Sequence, residues 1–274
     1  MVKAEMKVIQ VALTVSRKEY LTPHYIRVFL TGDGVSQIAD TTIGVNNKIL
    51  IPPTNVDRVY FPEFDYEKGQ WKAMDEGVRP TIRTYTHRGI DLDRNEIWID
   101  FVAHGDEGPA SAWAMAAKPG DALGILMKAG RTKLYEVADN YLLVGDATAI
   151  PVLGAILEDL PSSAKGICMI EVHSSEDVQR LNTKAEIDFI WLHNKTPQEG
   201  SSLADLVKIR SLPRQSKFAY VAAEFSTVKE IRNYLRKDLG WGREELYAYS
   251  YWKSGVSEDK SAVDRRSESE EINA

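Results

Sequence analysis

Apolar and polar residues alternate over short stretches in roughly the first half of the chain. In residues 96–102, for example, Ile97, Ile99 and Phe101 share one face of a predicted strand. Many such stretches with turn residues between them, and one short helix rich in alanine and tryptophan, predict a small antiparallel β-barrel. Residues 52–80 are rich in proline, glycine and aromatic residues without periodicity, so we predict a long loop there.

Near residue 135 the pattern changes to continuous apolar runs separated by amphipathic helices. Such runs are typical of parallel strands buried on both faces, and they span residues 141–145, 166–172, 187–192, 218–223 and 246–250. For the last helix, the pair Thr227 and Glu230 predicts a capping box at the start, and Gly240 predicts the end. Five strands that alternate with helices predict a doubly wound α/β domain.

The predicted organisation is therefore a β domain followed by an α/β domain. Residues 1–135 form an antiparallel β-barrel, residues 136–255 form a doubly wound parallel α/β domain, and residues 256–274 form an acidic C-terminal tail. The tail holds six acidic and three basic residues, which accounts for half of the formal net charge of −6. Its composition favours a segment without a packed core.

Composition argues against several classes of function. A mildly acidic chain without a basic stripe is not expected to bind nucleic acid. The single cysteine and the five histidines lack ligand spacing, so we expect neither a disulfide nor a metal held by protein side chains. The N-terminus lacks a secretion signal, and no apolar stretch reaches the length of about 18 residues that spans a membrane. We expect a cytoplasmic monomer without membrane insertion.

The most distinctive candidate chemistry lies in residues 79–87, which alternate as a strand does. A guanidinium such as Arg83 can bind a phosphate through two parallel hydrogen bonds, and an aromatic ring such as Tyr85 can lie against a flat ring. A hydroxyl such as that of Thr86 can bond a ring heteroatom. Together these side chains can hold a flavin nucleotide. An ordinary amphipathic strand has the same pattern, so this segment alone leaves both interpretations open.

Further candidate segments lie at the ends of strands and the starts of helices. Residues 104–111 place glycine, proline and serine at a helix start, which suits a pyrophosphate. Residues 143–151 form the first βα turn of the second domain, where nucleotides meet open sheets, but the GxGxxG spacing is missing and Asp146 would repel a phosphate. Glu224 can bond a ribose or an amide, or cap the next helix. The aromatic run in residues 247–255 can cover a flat ring or pack between the domains.

The order of these segments resembles the siderophore-interacting protein family, which comprises FAD-containing ferric-siderophore reductases of the ferredoxin-reductase-like superfamily. The resemblance covers about residues 5–255 and leaves out the acidic tail. The matching motifs are residues 83–86, residues 100–105 with 108–113, residues 119–121, residues 145–151 and residues 251–255. The resemblance implies that the barrel binds flavin and that the α/β domain binds a nucleotide.

Site residues follow from the resemblance, position by position. It assigns FAD contacts to Arg83, Thr84, Tyr85, Thr86, Asp100, Val102, His104, Gly108, Pro109, Ala110, Ser111, Trp113, Thr148 and Trp252. It assigns NAD(P)H contacts to Asp146, Ala147, Thr148 and Glu224. Arg83 and residues 108–111 would hold the phosphates, whereas Thr86 would lie near the redox-active ring.

Two positions depart from the pattern of the family. Ala147 stands where the family commonly has glutamate, and Ala223 stands where it commonly has glycine. Both changes affect the expected nicotinamide surface, so the electron donor stays open among NADH, NADPH and a ferredoxin.

The resemblance implies reduction of siderophore-bound Fe(III) to Fe(II), with FAD as the cofactor and a ferric siderophore as the substrate. Ferric siderophores are often anionic, so positive charge is expected near the flavin, and the candidates are Lys48, Arg131 and Lys253. The same three residues are also compatible with solvated surface charges. Two alternatives remain at this point: a general NAD(P)H:flavin oxidoreductase without a role in iron metabolism, and a non-catalytic module that binds siderophores.

Overall fold

The structure is a computed structural model that describes residues 7–65, 67–105 and 108–256. The predicted acidic tail lies outside the described residues except for Val256. The chain divides into two compact units, with the boundary between Thr132 and Lys133. Among the described helices, none has both the length and the apolar character needed to cross a membrane.

The first unit is a curled half-barrel built on a seven-stranded antiparallel sheet. Its strands are β1 (Val8–Thr22), β2 (Tyr25–Thr31), β3 (Asn46–Ile51), β4 (Phe64–Asp65), β5 (Gln70–Trp71), β6 (Thr81–Thr86), β7 (Gly89–Asp91), β8 (Glu96–Val102) and β9 (Ala122–Lys128). Strands β4 and β5 form a separate hairpin, and the other seven follow the order β6-β3-β9-β1-β2-β8-β7. Two short helices complete the unit, α1 (Val35–Ile38) and α2 (Pro109–Ala116).

Alternation along the strands creates the core of the first unit. Ile26, Val28 and Leu30 of β2 are fully buried, as are the residues that share their face on β8. The register of β1 against β2 shifts between Val15 and Arg17, and shifts of this kind bend a strand and help a sheet to curl. The edge strands β6 and β7 do not pair with each other within the described residues, so the predicted antiparallel barrel is confirmed in the form of a half-barrel.

One detail of the first unit differs from the sequence prediction. Residues 52–80 were expected to form a continuous loop, but the hairpin of β4 and β5 interrupts them. Phe64 packs edge to face against Trp71, with the two ring centroids 5.2 Å apart. The hairpin has only two residues in each strand, which is too short for the alternation to be visible in the sequence.

The second unit is a five-stranded parallel sheet with helices, and it confirms the predicted α/β domain. Its strands are β10 (Asn140–Asp146), β11 (Lys165–Val172), β12 (Glu186–His193), β13 (Lys217–Glu224) and β14 (Leu246–Trp252), and its helices are α3 (Ile150–Asp159), α4 (Leu203–Lys208) and α5 (Phe225–Asn233). The strand order is β12-β11-β10-β13-β14. The order reverses between β10 and β13, and ligands of open α/β sheets bind at such a point, outside the carboxyl ends of the strands.

The predicted capping box at the start of the last helix is wrong. Helix α5 already begins at Phe225, and Glu224 is its N-cap. The carboxylate of Glu224 accepts hydrogen bonds from the backbone N–H groups of Ser226 (2.6 Å) and Thr227 (3.4 Å). A Ser/Thr-x-x-Glu pattern is a short local signal, and here it lies inside the helix. The predicted end is confirmed, because α5 continues through a π-helical turn (Tyr234–Asp238) and Gly240 then has a φ of 68°.

Candidate functional site

The motif strand β6 pairs antiparallel with β3 along its whole length. Lys48 lies opposite Thr84 in this register, and its ammonium group donates a hydrogen bond to the Thr84 hydroxyl. Asn47 lies opposite Tyr85. Thr86 ends the strand and is 5% exposed. The predicted strand over Arg83, Thr84, Tyr85 and Thr86 is therefore present, with a cation on the neighbouring strand held against it.

An aromatic series connects two of the predicted flavin residues. The ring centroid of Tyr85 lies 4.5 Å from that of Phe101, and Phe101 lies 5.6 Å from Trp113. Phe101 belongs to β8, and its alternation identified it only as a core residue. The structure therefore adds Phe101 to the surroundings of the candidate site, as the contact that brings β6 and α2 together.

Strand β8 ends with two predicted flavin residues, Asp100 and Val102. Asp100 is almost fully buried, and both of its carboxylate oxygens accept hydrogen bonds from Arg27, at 2.7 and 2.8 Å. Arg27 lies directly across the strand pair on β2. Asp100 therefore has a structural partner that the sequence did not indicate, and any contact that it makes with a flavin comes in addition to this ion pair.

In the predicted phosphate segment, the structure describes residues 104–105 and 108–111, and the Ser111 side chain links these two parts. The backbone N–H of His104 donates to the hydroxyl of Ser111 (3.1 Å), and this hydroxyl donates to the carbonyl oxygen of Gly105 (2.7 Å). Gly108 is the N-cap, and a Cβ at this position would lie 2.6 Å from Cε1 of His104, so a side chain would displace the imidazole.

Pro109 and Ala110 form the first turn of α2, and no described side chain caps it. Backbone N–H groups in the first turn of a helix have no partner inside the helix, so they can bind an anion.

Buried polar atoms without partners test whether a flavin fits this region. Within the described residues, Oη of Tyr25, Oδ1 of Asn47 and Nε2 of His87 have no hydrogen-bond partner, although each side chain is at most 3% exposed. All three surround β6: Asn47 pairs with Tyr85, His87 follows the strand, and the phenol of Tyr25 interacts electrostatically with Tyr85.

Each unpaired buried group of this kind costs about 1–3 kcal/mol, so a flat ligand with donors and acceptors would stabilise the region. Burial also lowers the pKa of His87 to about 4, which leaves a neutral imidazole at physiological pH. The residues present therefore fit a flavin.

The first βα turn of the second unit is held together by Asp146. Its carboxylate accepts hydrogen bonds from the backbone N–H of Thr148 (2.9 Å), from the Thr148 hydroxyl and from the indole Nε1 of Trp252 (2.7 Å). Burial raises the pKa of Asp146, whereas these hydrogen bonds lower it. Ala147 begins a 3-10 turn (Ala147–Ala149) between the strand and α3. Four predicted residues thus lie in one turn and on the last strand of the same sheet.

Three carboxyl groups line the carboxyl edge of this sheet. Asp146 ends β10, Glu224 ends β13, and Glu171 lies opposite Asp146 on β11. Together with Trp252 they line a narrow pocket at this edge.

The sequence interpretation missed Glu171, whose carboxyl group accepts from Ser201 (2.7 Å) and Asn194 (3.1 Å). Burial raises its pKa, and the nearby Asp146 adds to this effect. The sequence signal that could have identified Glu171 was a single acidic residue near the end of an apolar strand.

The three candidate cations for the substrate have partners in the structure. Besides the contact between Lys48 and Thr84, Arg131 forms an ion pair with Asp40 (3.2 Å) in which both side chains are exposed. The ammonium of Lys253 lies 4.8 Å from the ring centroid of Phe225. Lys48 and Arg131 belong to the first unit and Lys253 to the second, so a shared role stays a prediction. Among the described residues, no group of three or more acids, histidines and cysteines has the arrangement of a metal site.

Comparison with known proteins assigns both units. Residues 14–132 match the siderophore-interacting FAD-binding domain, and residues 138–255 match the siderophore-interacting protein domain. The chain is 32% identical over 245 residues to the ferric vibriobactin reductase ViuB of Vibrio cholerae, which covers 89% of each chain.

Solved structures give the same result. The siderophore-interacting protein SipS of Aeromonas hydrophila superposes with a TM-score of 0.80 at 30% identity, over 95% of this chain and 98% of that one. A ferredoxin NADP+ reductase of Neisseria gonorrhoeae shares the fold, with a TM-score of 0.57 at 11% identity over 89% of this chain and 99% of that one. The chain belongs to the siderophore-interacting protein family and contains its FAD-binding domain.

Proposed function

We propose that this protein is an FAD-dependent ferric-siderophore reductase that reduces siderophore-bound Fe(III) to Fe(II). The observation that carries this proposal is the similarity to the ferric vibriobactin reductase ViuB, which extends over 89% of both chains rather than over one domain. Siderophores bind Fe(II) far more weakly than Fe(III), so reduction releases the iron. Because the substrate brings its own iron ligands, the reaction does not require a metal site made by the protein.

The first unit would bind and orient FAD through the groups around β6 and α2. Arg83 would bind the phosphates through its planar guanidinium, and the first turn of α2 would bind the pyrophosphate through its backbone N–H groups. Tyr85 would lie against the flavin ring, and Trp113 would help to bury the adenylate side. Phe101 contacts both of these side chains from the core. The remaining predicted contacts in this unit are Thr84, Thr86, Asp100, Val102 and His104. Thr148 and Trp252 belong to the second unit, and their contacts with FAD stay predictions. When bound, FAD supplies the redox chemistry, because it accepts two electrons together and gives them up singly.

The second unit would bind NADH or NADPH as the electron donor. The turn at Asp146, Ala147 and Thr148 lies where the strand order reverses, with Glu224 on the adjacent strand. The acidic edge disfavours phosphate groups there and favours the nicotinamide ring, which gains positive charge as it is oxidised. A ferredoxin is the alternative donor, and it is one of the outcomes of the test below.

A ferric siderophore would bind with the help of Lys48, Arg131 and Lys253. Lys48 donates a hydrogen bond to the Thr84 hydroxyl, and Arg131 forms its ion pair with Asp40 at an exposed position. An exposed ion pair contributes little to stability, so Arg131 can exchange Asp40 for an anionic iron complex at small cost.

The test is an anaerobic absorption experiment on the FAD-loaded protein. NADH, NADPH or a reduced ferredoxin is added first, and a ferric siderophore is added next together with a chelator that gives a coloured Fe(II) complex. We expect the flavin band to bleach and then recover while the Fe(II) complex forms. A flavin band that bleaches without recovery would indicate a general flavin oxidoreductase, and a protein that takes up no FAD but binds siderophore would indicate a binding module. If only the reduced ferredoxin bleached the flavin band, the electron donor would be a ferredoxin rather than a nucleotide.

A further inference from the structure

Tyr25 begins β2 and lies directly opposite Val102 of β8. It is 2% exposed, and it belongs to neither the motif strand β6 nor the phosphate segment. Among the described residues its hydroxyl oxygen has no hydrogen-bond partner. Neither the sequence motifs nor the resemblance to the family assigned a role to this residue.

The surroundings of the Tyr25 hydroxyl are polar and charged. Asp100, Arg88, Arg27 and Tyr85 all influence its ionisation. Burial raises the pKa of Tyr25 well above its usual range, and the Asp100 carboxylate adds to this effect. The phenol therefore keeps its proton at neutral pH and can donate a hydrogen bond.

Two of these charged groups, Arg27 and Asp100, form hydrogen bonds with each other rather than with Tyr25. Arg27 donates one hydrogen bond to each carboxylate oxygen of Asp100. A buried hydroxyl without a partner destabilises a protein, and phenylalanine at this position would avoid the loss. A hydrogen bond from this hydroxyl group to a ligand atom would explain why a tyrosine is found at this position.

We propose that Tyr25 is a flavin-positioning residue whose hydroxyl donates a hydrogen bond to a carbonyl oxygen of the isoalloxazine ring. Tyr25 lies opposite Val102, which the resemblance places in the ring and ribityl region, and it interacts with Tyr85, whose aromatic side chain can lie against a flat ring. The ring is therefore the part of FAD concerned, whereas the resemblance places Arg83 and the start of α2 at the phosphates. This inference rests on the flavin site proposed above.

The test compares Tyr25→Phe with the unchanged protein, with and without flavin. Without flavin, the variant should unfold at the same or a higher denaturant concentration, because it removes an unpaired buried hydroxyl. With flavin, its Kd should rise about fivefold, which corresponds to one ordinary hydrogen bond. The same ratio should be found for FAD and for riboflavin, because riboflavin has the ring but no phosphate. The visible band of the bound flavin should also shift.

Tyr141→Phe is the matched control. Tyr141 is equally buried, but its hydroxyl accepts from the backbone N–H of Ala138 (3.0 Å) and donates to the carbonyl oxygen of Glu136 (3.3 Å). Its removal should lower stability and leave the flavin Kd unchanged.

Three results would overturn the assignment of Tyr25. The first is equal flavin affinity of the variant and the unchanged protein. The second is a loss of affinity for FAD but not for riboflavin, and the third is a flavin-free variant that is less stable than the unchanged protein. A failure of the unchanged protein to bind FAD would instead refute the proposed function itself.

Discussion

The ion pair between Arg27 and Asp100 leads to a prediction that distinguishes a structural role of Asp100 from a role in flavin binding. Arg27→Met keeps the length of the side chain but removes the guanidinium, so the buried Asp100 carboxylate loses both of its hydrogen bonds to Arg27. We expect this single change to lower the free energy of unfolding strongly. The combined change Arg27→Met with Asp100→Leu should restore most of the loss, because no buried charge then remains without a partner.

The magnitude follows from the geometry of the pair. The two hydrogen bonds measure 2.7 and 2.8 Å, the carboxylate is 1% exposed and the guanidinium 22% exposed. Two unit charges about 4 Å apart attract each other by about 4 kcal/mol at an effective dielectric constant of about 20. Removal of one partner from a buried pair costs about 3–5 kcal/mol, which agrees with this value. A loss of that size is a large part of the stability of an ordinary domain.

The assay is urea unfolding of the flavin-free protein, followed by tryptophan fluorescence. Arg94→Met is the control, because Arg94 forms an exposed pair with Asp91 at 3.7 Å and its removal should cost less than about 1 kcal/mol. A loss for Arg27→Met no larger than for Arg94→Met would refute the reasoning. The reasoning would also be refuted if the double variant lost as much free energy of unfolding as Arg27→Met and Asp100→Leu lose together as single variants. Flavin titration of the double variant then shows directly whether Asp100 has a role beyond the ion pair.

Three further changes test the site. Arg83→Lys should weaken FAD binding by about tenfold or more, because an ammonium cannot make the two parallel hydrogen bonds of a guanidinium, and a Kd within twofold of the original would contradict this role. Reversal of Lys48, Arg131 and Lys253 to glutamate should raise the KM for an anionic ferric siderophore while the FAD content stays constant, and an unchanged KM would remove all three from the substrate site. His87 has its pKa lowered from 6.5 to about 4, so protonation destabilises the folded state as the pH falls through this window. The flavin-free protein should lose about 3 kcal/mol from this group by pH 4, and His87→Leu should be less sensitive to acid in urea titrations at pH 7 and pH 4.5; equal sensitivity would contradict the assignment.

The sequence was informative where local pattern decides the structure. The alternation around Arg83 predicted strand β6, and the apolar runs predicted the five strands of the parallel sheet, because burial on one or both faces imposes these periods. Pairing between distant segments was not visible. Arg27 and Asp100 are 73 positions apart, and only the adjacency of β2 and β8 brings them together.

The start of α5 shows a second kind of limit. Thr227 and Glu230 have the spacing of a capping box, but Glu224 at the end of β13 provides a cap three residues earlier. The strand fixes the position of Glu224, so its carboxylate reaches the N–H groups of the first turn without further ordering. The local signal for the helix start was therefore misleading, because the cap comes from a residue whose position is set by the sheet. The same reason explains why Glu171, another acid near the end of a strand, was overlooked.

The hydrogen bond from Trp252 to Asp146 has a consequence for synthesis. Strand β10 lies in the centre of the sheet and is made first in its unit, yet the indole that binds its terminal carboxylate follows 106 positions later. At about 5–20 residues per second, a ribosome needs roughly 5–20 s to cover that distance. During this interval the carboxylate has its contacts with Thr148 but not the indole, because Trp252 does not yet exist. The Trp252 hydrogen bond is therefore among the last contacts to form in the maturation of the unit, and a chain that stops before β14 leaves Asp146 without it.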